Sequence, residues 1–355
     1  MKTISVHRLL AVFFSTMLFL VFIAPLPCTA QKKIDEDELA VMKQPRELAG
    51  NTWNLPPTGP PLGRFPGVTQ DGFQLTAIYY PGNVDKETVP AVVFHGPSGN
   101  RGDFSPLISK LREGGFAVVA PDLRGHGKSN KRYTYEGVPG VPPGGPPPGF
   151  RPTIPNAMPA PKLIEIEPED LQPQDYLAMA RYDLPMIVNF VKMQNDKAML
   201  NANKLVLIGN ETGAALATYW AMQNWTDRGS ARNAKMLVLI NPTPLQLDHE
   251  FASYFKNASK AFKENVNVLI ITSSGSSGSA SVATKIKETL LTPKELEEDK
   301  PGFESRVPVI SLDSTLVGAE LLKDEKSGIV RTITDFLSDR FGKYKEKDNR
   351  WSKSK

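Results

Sequence analysis

The chain has 355 residues, a formal net charge of +4 at pH 7, 40% hydrophobic residues and a single cysteine, Cys28. That length suits one large domain, or one domain with an insertion, and the weak net charge excludes a protein that holds nucleic acid on a basic surface. One cysteine excludes an internal disulfide framework and any cysteine cluster for a metal.

Lys2 and Arg8 precede an apolar run, Leu9 to Ile23, broken only by Ser15 and Thr16. Pro25 and Pro27 end it, and Cys28-Thr29-Ala30 offers a small-residue cleavage site before Gln31. Residues 1–30 therefore read as a cleaved secretory signal peptide. The rival is an uncleaved membrane anchor, for which the run is short of the roughly 20 apolar residues a spanning helix needs. Leu26 and Pro27 do not suit a lipoprotein site at Cys28. Losing Lys2 and Arg8 takes the formal charge from +4 to +2. The expected location is secreted or periplasmic, with no stable membrane insertion and no nucleic-acid partner.

Residues 31–66 are polar, contain proline and lack periodicity, as a linker or loosely packed arm would. From Gly67 to Phe341 the pattern is that of one domain. "GVTQDGFQLTAIYYPG" predicts two strands joined at Asp71-Gly72. "TVPAVVFHG" predicts a buried strand ending at His95-Gly96. "DFSPLISKLREGGF" predicts a helix, with Phe104, Leu107, Ile108 and Leu111 at helical spacing and a stop at Gly114-Gly115. "AVVAPDLRG" is a further buried strand. Gly137 to Pro161 holds ten prolines and five glycines, so it fits neither a helix nor an inner strand and predicts an extended insertion.

Gln174 to Val191 then predicts a helix, "KLVLIGN" a strand, and "TGAALATYWAMQN" a helix. "AKMLVLINPTP" predicts a strand, and Leu247 to Phe262 a helix. "VNVLIITSS" and "VPVISLD" predict strands on either side of a helix over "SVATKIKETLL". Gly318 to Phe341 predicts the final helix, and residues 342–355 a short basic, solvated tail. Continuous apolar strands alternating with amphipathic helices predict an α/β fold, with roughly eight strands in a mostly parallel sheet covered on both faces.

"VVFHGPSGN" (Val92 to Asn100), "APDLRGHGKSN" (Ala120 to Asn130), "RYDLPMIVNFV" and "LVLIGNETGAALA" together resemble the α/β-hydrolase superfamily. The resemblance is to its monoglyceride-lipase and serine-aminopeptidase-like branch. It implies a nucleophile elbow, G-x-S-x-G, a backbone oxyanion hole, and an acid and a histidine on later loops. At the elbow, Gly209 and Gly213 flank Glu211, where serine is implied. The loop implied for the acid reads SSGSSGSAS, without a carboxylate, and Val317 stands where histidine is implied.

Of the four histidines, His7 falls in the signal segment, and His95 and His126 match structural positions of the motifs. His249 falls where a cap would sit and is the candidate for a base brought near Glu211 only by folding. Asp122 and Asp183 match structural aspartates, while Arg124 and Lys128 are expected solvated or paired. Asn210, Asn224 and Asn257 begin N-x-S/T triplets, which are too short to carry weight.

The expectation is a pseudoenzyme that binds a small molecule or a partner in a pocket edged by His95, Gly96, Pro97, Ser98, Asn210, Thr212 and Val317. One alternative is an ester or peptide hydrolase using Glu211 as base or nucleophile, with Thr212 and the Gly96–Ser98 backbone as oxyanion donors. The other is an interaction protein working through the Pro-rich insertion. No cofactor motif and no metal-ligand spacing is present in the sequence.

Overall fold

The computed structural model describes residues 36–53, 67–134, 162–226, 232–243, 245–246, 249–299, 305–343 and 350–354. The signal segment, the Pro-rich insertion and residues 344–349 of the tail lie outside the described residues.

Eight strands form the main sheet: β1 (Arg46–Ala49), β2 (Thr76–Tyr80), β3 (Pro90–Phe94), β4 (Ala117–Asp122), β5 (Leu205–Asn210), β6 (Ala234–Ile240), β7 (Asn267–Ser273) and β8 (Val309–Leu312). Their order is β1-β2-β4-β3-β5-β6-β7-β8. β1 and β2 are antiparallel to their neighbours, and every pairing from β4 to β8 is parallel. All the crossovers therefore bring their loops to one edge, where the strands end.

Alternation along each strand divides the core in two. Val92, Phe94, Leu205 and Leu207 pack under α2 (Leu184–Asp196), α3 (Thr212–Thr226) and α4 (Ser279–Leu290). Ala91, Val93, Val206 and Ile208 pack under α1 (Ser105–Glu113), α5 (Gly318–Lys323) and α6 (Ile329–Lys343).

Five expectations need correction, the fifth being the solvated tail. The arm is not a loose linker throughout: Arg46–Ala49 pairs with β2, and Trp53 is fully buried with its indole N–H donating to Leu75 O at 3.0 Å. The first strand expected at Gly67 is no more than a bridge between Val68 and Gln74, so the eighth strand comes from the arm instead. The helix expected over Leu247 to Phe262 is two short helices, Phe251–Lys256 and Lys260–Asn265. The final helix is also two: the first run ends at Asp324, where the backbone turns extended, and a 3-10 turn over Glu325–Ser327 that closes at Gly328, with φ +64°, separates it from the second.

The tail is docked in its described part. Asn203 and Asn195 side-chain amides donate to Arg350 O at 2.7 Å and Ser352 O at 2.8 Å. Trp351 donates back to Asn195 O at 3.2 Å. Among the described residues no helix is long and apolar enough to cross a membrane.

Candidate functional site

β5 is buried along its whole length and stops at Asn210; α3 starts at Thr212. Glu211 makes the turn alone, with φ +50°. A non-glycine side chain in the left-handed region costs on the order of 1–2 kcal/mol, so the surrounding structure must hold it there. Its N–H donates to Ile240 O at 2.9 Å, and its carbonyl accepts from Ala214 N at 2.9 Å. The flanking glycines are sterically required. A Cβ on Gly209 would stand 2.2 Å from Gly213 O, and one on Gly213 would stand 2.1 Å from Phe94 O. The elbow expected from "LIGNETG" is thus present, and Glu211 is at its tip.

The Glu211 carboxylate lies over the turn that follows β3. A Cβ on Gly96 would meet Glu211 Oε2 at 2.3 Å and Asn210 Nδ2 at 3.2 Å. From the other side, a Cβ on Gly318 would stand 3.9 Å from Glu211 Oε2. The carboxylate is therefore wedged between the oxyanion-type loop and the start of α5. It is half-buried, and burial raises its pKa, with no charged neighbour contributing. Asn210 beside it is buried, and among the described residues its Oδ1 has no hydrogen-bond partner. Thr212 and Val317 are half-buried; Val317 caps the start of α5 without a side-chain bond.

The loops after β7 and β8 are laid against each other. Gly275 N–H donates to Ser314 O at 3.1 Å, as does the Ser274 hydroxyl at 2.9 Å. A Cβ on Gly275 would stand 1.9 Å from Thr315 O. Backbone fills the space between these two loops.

His95 is turned away from the elbow. Its Nε2 accepts from the Leu123 N–H at 2.9 Å, so Nδ1 carries the proton and donates to Gly96 O at 2.7 Å. Burial lowers its pKa to about 4, with the nearby His126 ring adding to the effect. A neutral ring with both nitrogens engaged cannot serve as a base at the elbow. His126 is also buried and contacts the carbonyls of Arg124 and Pro97. Pro97 and Ser98 are exposed, and with His126 and Glu169 they line a crevice of about 220 Å³. His249 lies in the two-residue strand His249–Glu250, and its side chain is outside the described residues.

The remaining motif residues are structural, as expected. Asp122 accepts from Arg101 N at 2.9 Å and Lys128 N at 3.0 Å. Arg124 is fully buried; it donates to Asp71 Oδ2 at 2.7 Å and to both oxygens of Asp183. Burial would lower its pKa, but Asp183 and Asp71 together hold it above its ordinary value. Phe73 lies between Arg124 and Arg132, at 4.4 and 4.8 Å from its ring centroid. Lys128 pairs with Glu47 at 3.0 Å.

Sequence reasoning missed Asn241. It follows β6 with φ +46°, and its Oδ1 accepts from the Ser273 N–H at 2.8 Å, tying the ends of β6 and β7 together. An Asn before Pro242, at the end of an apolar strand, was the available signal. Among the described residues no cluster of three His, Cys, Asp or Glu could hold a metal ion.

The sequence profile of the α/β hydrolase fold family matches residues 90–315, more than half of the chain. No curated protein matches the sequence. Among solved structures, fungal esterases from Rhizomucor miehei are similar at 13% identity and a TM-score of 0.46, over 85% of this chain and 86% of theirs. A dienelactone hydrolase from Anabaena variabilis is similar at 12% identity and a TM-score of 0.42, over 85% of this chain and 99% of its own. An α/β serine hydrolase homologue from Coxiella burnetii is similar at 15% identity and a TM-score of 0.42, over 76% and 92%.

Proposed function

Since the chain belongs to the α/β-hydrolase fold family, we propose that it is a pseudoenzyme of that family, resembling the monoglyceride-lipase and serine-aminopeptidase branch. In this reading it is exported and holds a small ligand or a partner at the elbow edge of the sheet. One observation carries the proposal: the Glu211 carboxylate occupies the position of the nucleophile and lies over Gly96, where an oxyanion would be received. Acyl transfer needs hydrogen-bond donors aimed at developing negative charge. A carboxylate there presents an acceptor and repels that charge.

Two further observations support the reading. Covalent catalysis by a carboxylate needs a base to activate water for the second step. His95 and His126 are engaged with backbone groups, and Val317 stands where the family resemblance implies the base. The loop for which the resemblance implies the acid is a Ser/Gly loop packed on the Ser314–Thr315 backbone.

The competing reading is a hydrolase using Glu211 as base, favoured by the burial that raises its pKa. Hydrolysis of short- and medium-chain p-nitrophenyl esters by wild type and Glu211→Ala separates the two. The pseudoenzyme reading expects both proteins at the buffer rate. Turnover by wild type that disappears in Glu211→Ala sinks it.

A further inference from the structure

A groove of about 440 Å³ opens between α2 and α3, which lies in the usual range of roughly 300–1,000 Å³ for small-molecule sites. It is remote from the elbow. Its lining includes Leu205, the first residue of β5, whereas the elbow follows Asn210 at the other end of that strand. Five residue steps at about 3.3 Å place the two roughly 16 Å apart.

The charge of this groove is one-sided. Arg181 and Lys192 are among its lining residues, and among the described residues no Asp or Glu lines it. Among the described residues neither cation has a carboxylate partner; Arg181 sits instead 5.7 Å from the Tyr182 ring. The two cations are eleven positions apart on one helical run, about 16 Å at 1.5 Å per residue. Between them on the same stripe lie the apolar Leu184 and Val188, and facing them on α3 are Tyr219 and Trp220. Tyr219 is 36% exposed, so aromatic surface is presented to solvent in the groove.

The helix is also distorted here. Pro185 has no N–H to give to the Arg181 carbonyl, so the chain closes a wider π turn over Met179–Asp183, with Leu184 N–H donating to Met179 O. Such turns frequently mark functional sites.

We propose that this groove binds an elongated apolar molecule carrying an anionic group at each end. One anionic end pairs with Arg181 and the other with Lys192. The apolar body lies along Leu184 and Val188 against Tyr219 and Trp220. The site is independent of the elbow and of whether the elbow does chemistry.

Dodecanedioate is a suitable probe, titrated calorimetrically into the full chain beside dodecanoate and neutral 1,12-dodecanediol. The expected result is one-to-one binding of the diacid, tighter than that of the monoacid, with the diol weakest. Arg181 is exposed and Lys192 half-buried, so Arg181→Gln and Lys192→Gln should melt as wild type does. Each is expected to weaken diacid binding about threefold to fivefold, the scale of a partly exposed ion pair, without affecting the diol. Glu211→Gln is expected to bind the diacid as wild type does. Absence of saturable binding overturns the proposal. So does a diacid bound no better than the diol or the monoacid, or a double charge variant that binds it unchanged.

Discussion

The loop after β4 and the loops after β7 and β8 lie at the same edge of the same sheet, yet they are built in opposite ways. Residues 122–129 are held from every side. Asp122 receives two backbone N–H groups, Arg124 is neutralised by Asp71 and Asp183, and Ser129 Oγ accepts from Thr76 N at 2.8 Å. The loops after β7 and β8 meet at the Ser314–Thr315 backbone, and the β7 loop, residues 273–279, is serine and glycine throughout. A motif whose side chains are bound into the protein reports the fold. A motif whose side chains would act only on a substrate can change without unfolding the chain. In this protein the first kind of motif is complete, while at the elbow Glu211 stands where the resemblance implies serine, and loss of the acid and histidine is part of the proposed pseudoenzyme reading.

That contrast can be broken at its strong end first. Arg124→Met leaves Asp71 and Asp183 without their buried cation, and breaking such a pair costs about 3–5 kcal/mol. Equilibrium denaturation of the variant should show a loss of that size, whereas Ser277→Ala in the β7 loop should fall within about 0.5 kcal/mol of wild type. Comparable losses at the two sites would remove the distinction.

The next effect is a pH dependence. His95 has a folded pKa lowered to about 4 against an ordinary 6.5. Between those values the unfolded chain binds the extra proton, so stability is present above about pH 6.5 and falls as the pH drops toward 4. The full span amounts to about 3 kcal/mol. Stability measured from pH 7 to pH 4 should show a slope that His95→Asn flattens; parallel profiles would mean the ring is not buried neutral.

Glu211 titrates with the opposite sign. Burial raises its folded pKa, so its contribution is most favourable below the ordinary carboxylate value and is lost as pH rises through the raised one. Glu211→Gln should therefore be more stable than wild type at pH 7, since the glutamine carries no charge that burial disfavours. The difference should vanish at pH 3, and a gain that persists there would have to come from the backbone turn and not from the charge.

The smallest expected effect is none. Glu211→Ser restores a hydroxyl at the elbow but supplies neither base nor acid, so its p-nitrophenyl ester hydrolysis should stay at the buffer rate. Measurable turnover would mean that folding brings an unrecognised base to the elbow.

Much of this was legible in the residues themselves. Apolar runs such as "VVF", "LVLI" and "MLVLI" declare buried parallel strands, because only a strand covered on both faces is apolar without alternation. Gly209 and Gly213 declare the elbow, because a tight strand–helix turn leaves no room for Cβ. The choice of Glu211, the Ser/Gly loop and Val317 is likewise plain in the sequence. What the sequence could not give depends on partners far along the chain. Arg46–Ala49 is polar and short, and it becomes a strand only because β2 offers a free edge. The docked tail depends on Asn195 and Asn203, about 150 positions away, and local pattern carries no trace of a long-range hydrogen bond. The tautomer of His95, the wedge of Glu211 over Gly96 and the two cations of the α2–α3 groove are likewise tertiary facts. Each depends on how far apart packing sets two segments, and the composition of either segment alone does not fix that distance.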